Sequence, residues 1–210
     1  MFCLACSSGA VDSSDAGQDL SSEDAGEDAG ADEGPMACGE IQTFEDGLLP
    51  LLEVHVAPGT AVRLHAGTYA GGMDVNDLAG TETAPIWIGG APGESRPLIQ
   101  GGNGAMHLSR VRYLVLHDLE VSGQVQNGSN CDDGGEVADA EATRFVVFRG
   151  LDIHDVGEGG NEDCLKLSGV NDFFVLDSSF ARCGGGGSGS GVDCVGCHRA
   201  LVARCEFLEN

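Results

Sequence analysis

From about residue 60 to the end, short runs of β-branched and aliphatic residues recur at a nearly constant interval, and this recurrence restricts the chain more than any other feature. The runs are Arg63-Leu64, Ile86-Trp87-Ile88, Leu114-Val115-Leu116, Val146-Val147-Phe148, Phe174-Val175-Leu176 and Leu201-Val202-Ala203. Anchored on Leu64, Ile88, Leu116, Phe148, Leu176 and Ala203, the steps are 24, 28, 32, 28 and 27 residues. Each run is short, is bounded by glycine or polar turns and carries no helical period, so strands are expected. A repeat unit of this length buries its apolar side by stacking on the next copy, which predicts a β-solenoid.

A second set of strands lies between these runs. Met106-His107-Leu108-Ser109 matches Leu165-Lys166-Leu167-Ser168, with Ala138-Asp139-Ala140 expected one coil before the lysine strand, Val192-Asp193-Cys194 one coil after it, and Met73-Asp74-Val75 opening the column. Each core triplet reads apolar, polar, apolar, which turns its middle residue outward. The alignment predicts an exterior column of Asp74, His107, Asp139, Lys166 and Asp193 on coils about 4.8 Å apart. The span 123–136, containing Asn127, Asn130, Asp132 and Asp133, reads as the largest inserted loop. It is expected to overhang this column as a functional loop or as a solvated turn.

The start of the chain is of a different kind. Residues 11–34 hold nine acids and no base, with the triplet Asp-Ala-Gly three times. Such a segment lacks the apolar surface that offsets ordering entropy, so residues 11–36 are expected to be a disordered acidic linker. Before it, Cys3-Leu4-Ala5-Cys6 resembles the end of a bacterial lipoprotein signal, with Cys3 where leucine is usual and no basic region upstream. That resemblance implies an exported, extracellular or surface protein held to a membrane only through a lipid on Cys6. Residues 1–10 are then a signal remnant, 37–57 an N-terminal cap and 58–210 the solenoid. The net charge is −24, which speaks against nucleic acid and anionic membranes as direct partners. The last residues, 205–210, stop just after a strand with no capping segment, so a solenoid of about five to six coils continuing beyond Asn210 is expected.

Beyond Cys3 and Cys6 the cysteines are Cys38, Cys131, Cys164, Cys183, Cys194, Cys197 and Cys205. Core thiols, or one or two disulfides in an oxidising compartment, suit them better than zinc on Cys194-x-x-Cys197-His198, because successive strand positions point to opposite faces.

Ala57-Pro58-Gly59-Thr60, Val62-Arg63-Leu64, Gly67-Thr68-Tyr69, Gly80-Thr81, Pro85-Ile86, then Pro97-Leu98-Ile99 and Gly101 resemble the opening coils of pectin-lyase-like proteins. The arrangement is most similar to the chondroitinase-B and alginate-lyase group and to calcium-dependent pectate lyases. The resemblance implies an all-β chain folded as a right-handed parallel β-helix that acts on or binds polysaccharide. It further implies a calcium-dependent uronate lyase with Lys166, the only lysine, as base and calcium on Asp139, Glu162, Asp163 and Asp193. The clustered aspartates and Gly-His-Gly element of polygalacturonase-type hydrolases do not occur. His107 and the outward Trp87 are candidates for substrate contact, Trp87 by stacking on a sugar ring.

Two readings of the column remain open. Carboxylates beside Lys166 hold it as an ammonium, against what a base requires. The column then serves as a charge ladder that keeps register between coils, in a surface β-helix with a binding or structural role.

Overall fold

The structure is a computed structural model and describes residues 41–44, 47–48, 56–135, 142–157, 159–184 and 187–210. The chain divides into residues 1–38 and 39–210, and every described residue falls in the second unit. The expected signal remnant and acidic linker lie outside the described residues, as do Cys38 and Asp139.

Among the described residues, nineteen strands wind in coils. The first described coil holds β1 (Ile41–Phe44) and β2 (Gly47–Leu48), and the next β3 (Ala61–Leu64), β4 (Thr68–Ala70) and β5 (Met73–Asn76). There follow β6 (Ile86–Gly90), β7 (Leu98–Gln100) and β8 (Met106–Ser109), then β9 (Arg112–His117), β10 (Glu120–Ser122) and β11 (Ser129–Asp132). The last coils are β12 (Arg144–Arg149), β13 (Asp152–Val156) and β14 (Leu165–Ser168), then β15 (Asn171–Leu176), β16 (Ser179–Cys183) and β17 (Val192–Val195), and finally β18 (His198–Ala203) and β19 (Glu206–Leu208).

Every strand pairs in parallel with its counterparts one coil away, giving three sheets: A (β1-β3-β6-β9-β12-β15-β18), B (β2-β4-β7-β10-β13-β16-β19) and C (β5-β8-β11-β14-β17). This is the expected all-β, right-handed parallel β-helix. The span expected as a cap already supplies β1 and β2, which pair with β3 and β4.

The period-2 alternation of the strands fills the interior. In sheet A the core column is Val62, Ile88, Leu116, Phe148 and Val175, each almost fully buried, and it ends at Val202. Leu64 instead pairs with Gly90, while Leu176 and Ala203 fall in the outward column of Arg149. Three of the six anchors in the sequence were therefore out of register. For Leu176 and Ala203 the reason is that consecutive apolar residues, as in Phe174-Val175-Leu176, leave the inward face ambiguous when the side-chain period is two, whereas Leu64 is itself inward and stands two residues past Val62. In sheet B the matching core column is Tyr69, Ile99, Val121, Ile153 and Phe180. Burial of each such side chain stabilises the coil by roughly 1.5–3 kcal/mol.

Sheet A passes into sheet B through a tight corner in which Asp118, Gly150, Asp177 and Arg204 stack with left-handed φ of 50°, 62°, 52° and 55°. At Gly150 in this row an added Cβ would lie 2.4 Å from Asp118 Oδ1, so a larger residue there would displace the Asp118 side chain. The non-glycine members gain partners in exchange, as in the paired contacts of Arg204 Nε and Nη2 with the Asp177 carboxylate. Sheet C is reached through longer connections, which leaves room for polar residues beside its outer face.

The described cysteines follow the reading of core thiols and disulfides. Cys164 is bonded to Cys183 and Cys194 to Cys197. Cys131 is a buried core thiol whose pKa is pushed up by burial, and Cys205 is the other free thiol among the described residues.

Candidate functional site

The middle residues of the sheet C strands form one outward column: Asp74, His107, Asn130, Lys166 and Asp193. Four of the five expected members are thus in place. The strand between His107 and Lys166 is β11, however, so Asn130 occupies the position expected for Asp139. The span 123–136 is correspondingly not one loop, because β11 runs through it, and the coil's extra residues follow β11 instead of preceding it. In Ser129-Asn130-Cys131-Asp132 the inward positions are a serine and a cysteine, which hid the strand's apolar face from periodicity.

A second outward column runs beside the first, with Asn76, Ser109, Asp132, Ser168 and Val195 in register. The two columns are cross-linked. His107 Nε2 lies 2.5 Å from Asp132 Oδ2, Ser109 Oγ donates to Asp132 Oδ1 at 2.7 Å, and the Gly134 N–H donates to the same oxygen at 2.8 Å. Burial raises the Asp132 pKa, but these hydrogen bonds outweigh it and hold the carboxyl below its ordinary range. On the other side His107 Nδ1 is 3.5 Å from Asp74 Oδ1.

Lys166 sits between carboxylates. Its Nζ pairs with Asp193 on the next coil and lies 3.1 Å from Oδ2 of the buried Asp163. The Asp193 hydrogen bond, with Asp163 behind it, raises the lysine pKa against the opposing effect of burial. Asp163 is held from behind as well: Ser190 N–H donates to its Oδ1 at 2.9 Å, and its own N–H donates to Asn127 Oδ1 at 2.7 Å. Asn127 Nδ2 in turn donates to Asn130 Oδ1 at 2.9 Å. A continuous polar network therefore runs from Asn130 through Asn127 and Asp163 to Lys166 and Asp193. Asn127, Asn130, Asp132 and Ser109 were missed as site residues. For the first three the signal in the sequence was the concentration of Asn and Asp in 123–136, and for Ser109 its place two residues after His107 in an alternating strand.

The remaining candidates are dispersed. Glu162 turns its carboxylate toward Gly160, where an added Cβ would lie 2.6 Å from Oε1, and its Oε2 is buried without a hydrogen-bond partner among the described residues. Trp87 is on sheet A, edge-on to His117 with ring centroids 5.7 Å apart, and so faces a different side of the molecule from His107. Among the described residues no three His, Cys, Asp or Glu side chains are grouped to hold a metal ion. Of the expected calcium ligands, Asp163 and Asp193 both pair with Lys166, and Asp139 lies outside the described residues.

Chemically, the face offers one fixed ammonium, an imidazole between two carboxylates, and amide groups in register with both. No family model matches the chain, and no curated protein matches it. Among solved structures it is similar to the alginate lyase from Paenibacillus sp. str. FPU-7, with a TM-score of 0.58 and 17% identity over 79% of this chain. The chain spans 66% of that enzyme's length. The likeness, together with three parallel sheets wound in register, shows that this chain has the pectin-lyase-like right-handed parallel β-helix fold.

Proposed function

We propose that the protein is an exported β-helix that acts on acidic polysaccharide at the outer face of sheet C, as a uronate lyase with Lys166 as its reacting group. The observation that carries this reading is the in-register column His107, Asn130, Lys166, on a fold shared with an alginate lyase. In β-elimination a base takes the proton beside the uronate carboxylate, the C4–O bond to the neighbouring sugar breaks, and a C4=C5 double bond remains. The leaving oxygen takes up a proton. Lys166 at rest is a clamped ammonium, so it serves as base only if substrate binding draws Asp163 and Asp193 away and lowers its pKa. Before that step its charge suits it to pair with the uronate carboxylate.

The same clamp favours a second reading. A lysine held by two carboxylates on consecutive coils also works as a ladder that fixes register, in a noncatalytic surface β-helix that binds glycan.

Calcium belongs to the assay as a variable, because an acidic face meeting a polyanion benefits from a bridging cation. The test is a panel of alginate, pectate and glycosaminoglycan, with calcium or with chelator, followed by ultraviolet absorbance of unsaturated products. Product formation that Lys166→Ala abolishes while the melting temperature is kept supports the lyase. No product under any condition from the full-length protein, with glycan binding retained, supports the binding reading.

A further inference from the structure

We propose that the outer face of sheet A is a docking surface for acidic polysaccharide, separate from the sheet C column. The proposal shares with the function above only the class of ligand and does not depend on Lys166 being catalytic.

The first observation is charge. Over its seven strands sheet A carries five arginines, Arg63, Arg112, Arg144, Arg149 and Arg199, against one acid, Asp172. Sheet B carries one base, Arg182, against four acids, and sheet C one base, Lys166, against three. Sheet A is thus the single net-positive sheet in a chain of net charge −24. Its arginines are not idle, for Arg144 and Arg199 share Asp172 and Arg149 lies 3.6 Å from Asp177. Among the described residues of the corner with sheet B, Glu94, Asp118 and Asp177 stand against Arg96 and Arg204, so that edge adds one negative charge, smaller than the surplus of the strands.

The second observation is shape and chemistry. The central column of the sheet, Trp87, Val115, Val147, Phe174 and Leu201, is an apolar stripe along the solenoid, with Leu201 exposed, Trp87, Val147 and Phe174 half-buried and Val115 buried between its neighbours. Beside it Tyr113 and Phe145 stack with centroids 4.6 Å apart, and the Arg144 guanidinium lies 4.5 Å over the Phe145 ring. Arg63 and Arg149 stand on the far side of the stripe from that stack. Aromatic faces flanked by guanidinium groups match an acidic sugar polymer, whose ring faces are apolar and whose carboxylates accept bidentate hydrogen bonds from arginine. Adjacent coils are about 4.8 Å apart, comparable to the length of one pyranose along a chain. A polymer lying along the solenoid axis therefore meets one coil per sugar. The only tryptophan of the chain lies on this face, away from His107.

The experiment is electrophoresis of the full 210-residue chain in native gels containing sodium alginate or a neutral glucan, at low and high salt. The expected result is retardation by alginate alone, weakened by salt because exposed charges are screened. Trp87→Ala is expected to weaken it roughly threefold to tenfold, about the worth of one aromatic contact. Arg63→Glu with Arg149→Glu is expected to weaken it further. Circular dichroism and the melting temperature establish that each variant is folded, and Arg63→Glu alone serves if the double variant is not. In a Lys166→Ala background the sheet A variants should lower the retardation by the same factor as in wild type. The proposal is overturned if wild type is not retarded, if neutral glucan retards it equally, or if Lys166→Ala removes the retardation that the sheet A variants keep. It is also overturned if sedimentation shows a self-associating chain that Trp87→Ala makes monomeric, since a second copy then covers the stripe.

Discussion

At the scale of single residues, charge decides what each titratable group can do. Lys166 is surrounded by groups that stabilise its protonated form, and the sequence already indicated this, since the acids around it outnumber the bases. His154 shows the same physics where it can be measured. Its Nδ1 is 2.7 Å from Asp155 Oδ2 and its Nε2 3.3 Å from Glu120 Oε1. Burial lowers its pKa, but the two carboxylates raise it by more, so the net shift is upward. A folded pKa above the unfolded value, about 6.5, gives stability that is fully present below that pH and is lost as pH rises through the folded pKa. The melting temperature should therefore fall between about pH 6.5 and the folded pKa, and His154→Gln should remove that part of the dependence. An unchanged profile in the variant would contradict the assignment. Lys166→Ala, tested for product formation as above, is the matching experiment for the column.

At the scale of strands, register carries the information, and the sequence was readable only where apolar and polar residues strictly alternate. Met106-His107-Leu108-Ser109 and Leu165-Lys166-Leu167-Ser168 alternate, and their outward residues were assigned correctly. Phe174-Val175-Leu176 does not alternate, and Ser129-Asn130-Cys131-Asp132 has small inward residues, so one strand was read a residue out of step and the other as loop. Backbone approach between coils was not readable either. An added Cβ on Gly89 would lie 2.0 Å from the His117 carbonyl oxygen of the neighbouring strand. Gly89→Ala must therefore shift β6 against β9, and the expected loss is about 1–3 kcal/mol, as for other overpacked sites. Denaturant unfolding measures it, and a midpoint equal to that of wild type would mean that the coils yield more easily than the packing implies.

At the scale of the whole molecule, stacking of coils supplies the stability, and residues outside the stack should matter little to it. Removal of residues 1–36, which precede β1, is expected to leave the melting temperature of the remainder unchanged; a drop of several degrees would show that they take part in the fold. The solenoid itself was legible from the spacing of apolar runs near 28 residues, because only stacking lets so short a unit bury its apolar side. The acidic balance and the candidate lysine also followed from residue identity and charge, which need no coordinates. What tertiary structure alone decided is which residues share a face. It put Asn130 in the column where Asp139 was expected, joined Lys166 to Asp163 through the packing of a connection against β14, and moved Trp87 to a basic sheet away from His107. These outcomes depend on the length of each connection and on the register between coils, and a one-residue difference in either turns a side chain from one face to the other without changing local propensity.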